Sequence, residues 1–167
     1  MNDVRVPIST AADAAKHVQH HQGHEHQQSQ QEEQLRISKL TRMLKRTPSL
    51  SASLRNWLVR RFLSEKTYKT THDYLFHLRQ ALLALQPALP STPSSTPASL
   101  QAAFLRPAAQ KALLLYYRKM ERAWRKNDSQ ANKARAAIRF FLATIKLKMI
   151  KSGTELAAVE EGREGWE

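Results

Sequence analysis

Tyr68-Lys69-Thr70-Thr71-His72-Asp73-Tyr74-Leu75-Phe76-His77-Leu78-Arg79-Gln80-Ala81-Leu82-Leu83-Ala84-Leu85 is the stretch whose spacing decides the fold class. Tyr68, Thr71, Leu75, Leu78, Leu82 and Leu85 recur at intervals of three and four until Pro87 stops the pattern. That interval is the repeat of one helical face, and proline cannot continue the backbone ladder. A half-buried strand would alternate every second residue, and no segment of this chain does so convincingly.

On the N-terminal side, Leu50, Leu54, Trp57, Leu58 and Phe62 form a second stripe. Thr47-Pro48 reads as its cap and first-turn proline, and Ser64 as the cap of the helix that follows. Ile37, Leu40 and Leu44 place a shorter basic helix before it. On the C-terminal side, Gln86 to Ala98 holds four prolines in thirteen residues and reads as a Pro/Ser/Thr-rich linker, 86–98. Leu100 to Leu105 form a short helix ending ahead of Pro107. A longer helix carries Leu113, Tyr116, Tyr117, Met120 and Trp124, and Asn127-Asp128-Ser129 is a turn and cap. The last helix puts Ala134, Ile138, Phe141, Leu142, Ile145 and Met149 on one face, with Gly153 in the C′ position. The expected fold is all-α: a bundle of about four to five helices over 35–153, arranged as two hairpins joined by the linker. Residues 1–34, a His/Gln-rich run with little to bury, are expected to be disordered, and 154–167 form an acidic tail.

Composition narrows the function classes. A length of 167 residues fits one domain of ordinary size. No apolar run approaches a membrane span, and no secretory leader is recognisable. The absence of cysteine removes disulfides, thiolate metal sites and cysteine nucleophiles. The expected location is intracellular: the nucleus in a eukaryotic source, otherwise the cytoplasm. No carboxylate or thiol framework fixes the geometry of the five histidines between His17 and His26, so no metal and no cofactor is expected.

Net charge is +13, concentrated in two blocks. Arg36 to Leu75 holds ten basic against two acidic residues, and Lys111 to Ser152 holds twelve against two. Such a surface favours a polyanion. The helix expected at Ser64 presents Lys66, Thr67, Lys69 and Thr70 in its first two turns. The helix expected at Ser129 presents Gln130, Asn132, Lys133, Arg135 and Arg139, and Lys146 follows on the same basic segment. Helix starts offer unpaired N–H groups and partial positive charge to phosphate, while Asn, Gln and Arg can reach base edges in the major groove. Singly, each residue also fits an ordinary solvated face. The aromatics between Tyr116 and Trp124 fall on the apolar stripe and read as core rather than as a platform for single-stranded bases. There is no phosphate-binding glycine loop, His-Glu-x-x-His or nucleophile elbow. His72 and Asp73, adjacent on a helix, are expected to point apart.

The stretch Leu63 to Leu78, opening Ser64-x-x-Thr67 before an apolar-rich helix, resembles the start of the N-terminal core-binding domain of tyrosine recombinases (phage integrases). Ser129 to Leu142 is similar to that domain's final helix. Asn132, Ile138, Arg139 and Phe141 fall on the family's positions, and Leu142 replaces its second aromatic. The resemblance covers roughly Leu50 to Gly153. It implies a SAM-like four-helix unit that forms half of a clamp around duplex DNA. It also implies a role in recombination or integration, with self-association or a recombinase partner. The family's catalytic domain, with its Arg, Lys, His and Tyr residues, has no counterpart here, so the expected function is non-catalytic. Double-stranded DNA is the expected partner; a basic adaptor docking an acidic protein is the alternative, and a peripheral anionic membrane surface the third.

Overall fold

In a computed structural model, residues 11–126, 128–149 and 156–158 are described. The chain divides into two units, 1–36 and 37–167. Helix α1 runs from Ala11 to Met43 and crosses that boundary. Its sequence is rich in Ala, Gln and Glu and holds no proline, a composition that a helix accepts. Residues 26–36 are exposed throughout, as a segment with nothing to bury must be.

The second unit is all-α in architecture. Ile37 and Leu40 at the end of α1, and Leu44 just after it, are buried in its core. There follow α2 (Ala52–Glu65), α3 (Tyr68–Leu85), a 3-10 turn (Gln86–Ala88), α4 (Pro97–Leu105), α5 (Pro107–Arg125) and α6 (Ser129–Thr144). The leucine stripe of α3 is the hub. Leu75, Leu78, Ala81, Leu82 and Leu85 are all buried, and α3 packs against α2, α5 and, most extensively, α6. Phe62, Phe104 and Phe141 are the largest fully buried side chains. Phe104 of α4 meets Phe141 of α6 edge-on at 5.5 Å between ring centroids.

Three expectations about helix ends are corrected. Ser51, not Thr47, caps α2, its hydroxyl accepting from the Leu54 amide at 3.2 Å. Thr47 is instead buried and closes the preceding turn onto the Leu44 carbonyl. Thr67, not Ser64, caps α3; Ser64 still lies in α2 and donates to the Arg61 carbonyl at 2.7 Å. Helix α6 stops at Thr144, well before Gly153, which lies outside the described residues. Lys146 turns the chain with φ of 56°, the left-handed conformation of a helix C′ residue. That conformation costs a side chain with a Cβ about 1–2 kcal/mol. Its carbonyl accepts from the Gln101 side-chain Nε2 at 3.1 Å, and the next residue, Leu147, is buried. These contacts redirect the chain into β1 (Leu147–Met149), which pairs antiparallel with β2 (Leu156–Ala158). Neither short strand follows from the sequence pattern.

The proline-rich segment is tied to the chain just ahead of α2. Ser94 is buried and forms a parallel bridge with Leu50. Its amide donates to Ser49 O and its carbonyl accepts from Ser51 N, both at 2.9 Å. Leu89 is buried as well, and Thr96 begins α4 with a capping box completed by Ser99. The helices on either side of the segment share one core, α3 packing against both α5 and α6.

Candidate nucleic-acid interface

Each of the two helix starts expected to receive phosphate is closed by its own side chain. At α3 the Thr67 hydroxyl accepts from the Thr70 amide at 3.3 Å and lies 3.1 Å from the Thr70 hydroxyl. At α6 the Asp128 carboxylate accepts from the amides of Gln130 and Ala131 at 2.8 and 3.2 Å. A carboxylate there occupies the place where the helix end would favour an incoming anion. At each start the cap thus takes up part of the set of four unpaired N–H groups.

Packing engages further candidates. Lys66 sits 4.9 Å from the centroid of the Phe140 ring. Phe140 in turn packs against Phe62 and Tyr74 at 4.9 and 5.7 Å. The ammonium is held by the negative ring face, a cation–π contact. Lys133 reaches Asp73 on α3 at 3.5 Å, and the Gln130 side chain hydrogen-bonds the ring of His77. These contacts run in opposite directions along the two helices: Gln130 meets residue 77, Lys133 meets residue 73, and Phe140 meets Tyr74 and Lys66. Helices α3 and α6 are thus antiparallel, and their starts lie about 15 Å apart along the shared face at 1.5 Å per residue. His72 and Asp73, expected to point apart, approach to 3.7 Å between Nδ1 and Oδ1.

Helix α6 also carries an exposed ridge. Asn132, Arg135 and Arg139 are exposed at helical spacing, with the small side chains of Ala136 and Ala143 on the same side. No residue between Ser129 and Thr144 is acidic. Arg135 and Arg139 also lie near Tyr117 of α5. Burial pushes the Tyr117 hydroxyl up to about 12, against the opposing pull of Arg139 and Arg135. Lys69 and Lys146 are exposed on other elements, and Thr70 is half-buried. Of the ten candidates, the structure thus groups Asn132, Arg135 and Arg139 on one open face. It brings Gln130 and Lys133 onto α3 and sets Lys66 on an aromatic ring.

The outer face of α5 is not among the candidates that the sequence suggests. Lys111, Arg118, Lys119 and Arg122 are exposed there, and Arg125 pairs with Glu121 at 2.8 Å. The signal is present as cations at i, i+7, i+8 and i+11, but the aromatic stripe of the same helix draws attention inward. Among the described residues no group of three or more His, Asp or Glu side chains could hold a metal ion.

A pH dependence of the α3–α6 seam is expected from His77. Burial lowers its pKa from the usual 6.5, with Lys133 acting in the same direction and Asp73 and Gln130 opposing. The folded state therefore resists protonation more than the unfolded chain does. Stability should hold at neutral pH, fall as pH drops below about 6.5, and level off beneath the folded value. Thermal melts from about pH 7.5 to 4.5 should show this limb in the wild type and a shallower one in His77→Gln. Identical profiles would show that the seam does not sense protonation.

No family model, no curated protein and no solved structure matches this chain.

Proposed function

We propose that this protein is an intracellular, non-catalytic module that binds double-stranded DNA, with a place in recombination or integration. The observation that carries the reading is the α6 ridge: two exposed arginines and an asparagine on one face of a helix that contains no acid. Arginine forks match phosphate and guanine geometry, and asparagine matches adenine. The resemblance of Leu63–Leu78 and Ser129–Leu142 to an integrase core-binding domain supports the same partner. The closed helix starts move the proposed contact from backbone amides to side chains, so phosphate pairing dominates affinity.

Titration of a mixed-sequence duplex at several salt concentrations tests this. Each neutralised phosphate contributes about 0.9 to the log–log slope, so two or three such pairings give a slope of about −2 to −3. No binding, or a slope near zero, would overturn the reading. No helix among the described residues is long and apolar enough to cross a membrane.

A further inference from the structure

Helix α5 carries a second open face with a different character from the α6 ridge. Leu115 is 55 % exposed, while Ala109 and Leu113 on the opposite side of the same helix are buried in the core. The helical neighbours of Leu115 at i−4, i+3, i+4 and i+7 are Lys111, Arg118, Lys119 and Arg122, all exposed. Leu114 beside it is half-buried. The single carboxylate of α5, Glu121, is engaged by Arg125 within the helix. The result is an apolar knob ringed by four cations, spanning about 17 Å from Lys111 to Arg122.

That layout is the anatomy of a protein contact, apolar at its centre and charged at its rim. We propose that the outer face of α5 docks an acidic amphipathic helix of a protein partner. Carboxylates of that helix pair with Lys111, Arg118, Lys119 and Arg122, and an apolar side chain covers Leu115. A phosphodiester backbone would satisfy the cations but leave Leu115 against charged oxygens. A bilayer would require the apolar side of an amphipathic helix, and α5 turns that side into the core. The surface uses other residues than the proposed DNA contact, on which reading the module would join a duplex to an acidic partner.

The test uses the full chain and a labelled synthetic helical peptide of about three heptads, with a leucine stripe flanked by glutamates. The controls are a scrambled peptide of the same composition, a mixed-sequence duplex, and vesicles containing phosphatidylserine. The designed peptide should bind at least about tenfold tighter than the scrambled one. Leu115→Ser, which changes no charge, and Arg118→Glu with Arg122→Glu should each weaken peptide binding about tenfold. Leu115→Ser should leave duplex affinity unchanged. Each variant alters exposed residues and is read only with wild-type far-UV ellipticity; either one suffices. Equal binding of the scrambled peptide, absence of peptide binding, or indifference to Leu115→Ser would overturn the proposal. Loss of duplex or vesicle binding in Leu115→Ser would do the same, assigning the face to nucleic acid or lipid.

Discussion

Replacing Arg135 and Arg139 together by alanine should lower the salt slope of duplex binding by about 1.8, two phosphates at about 0.9 each, and weaken affinity accordingly. Both side chains are exposed on α6, and alanine is the best helix former, so the fold should survive the change. The measurement is a duplex titration at several salt concentrations beside a thermal melt of the same variant. Arg139→Lys separates two roles within the ridge. Lysine keeps the charge but not the planar fork, so pairing with a phosphate would largely persist and bidentate recognition of a base would not. A double variant that binds as the wild type does would remove α6 from the interface. A double variant that melts far below the wild type would show that the arginines support the fold, through their proximity to Tyr117.

Phe141→Ala should be the most damaging single substitution for stability, at about 3–5 kcal/mol. The ring is 1 % exposed and packs edge-on against Phe104, joining the last helix to the short one after the proline-rich segment. Truncation removes buried apolar area and leaves a cavity that neighbouring helices close only in part. Set against a typical domain stability of about 5–15 kcal/mol, the loss is a large share of the total. Urea unfolding should show the midpoint falling with the slope unchanged. Phe76→Ala is the control: that ring is 46 % exposed, so its removal should cost far less. Similar effects of the two substitutions would mean that α6 does not bury Phe141 as described.

Much of this molecule can be read from local pattern. The stripes of α2, α3 and α6 fall on buried faces because an apolar repeat of three and four residues has one helical solution, whatever the helix packs against. Pro107 marks the α4–α5 break, since proline cannot continue a helix but suits the first turn of the next. The excess of basic residues is likewise a property of composition alone.

Caps and the proline-rich segment are less legible. Thr47, Ser51, Ser64 and Thr67 are all plausible caps by residue type. Which one acts depends on which hydroxyl is left facing an orphan amide once the helices have docked. Four prolines read as a spacer, yet the backbone around Ser94 finds its partners on Ser49 and Ser51, more than forty residues earlier. No local signal reports such a pairing.

The candidate interface divides in the same way. Sequence by itself determined that the chain is helical, that its positive charge lies in two blocks, and that α6 carries Asn132, Arg135 and Arg139 at helical spacing. Only the tertiary structure decided that Lys66 lies over Phe140, that Lys133 and Gln130 turn toward Asp73 and His77, and that Asp128 closes the α6 start. It also decided that the cations of α5 surround an exposed leucine. The physical reason is range. Helical periodicity is set by hydrogen bonds four residues apart, whereas the partner of a charge is set by whatever distant element packing brings within a few ångströms of it.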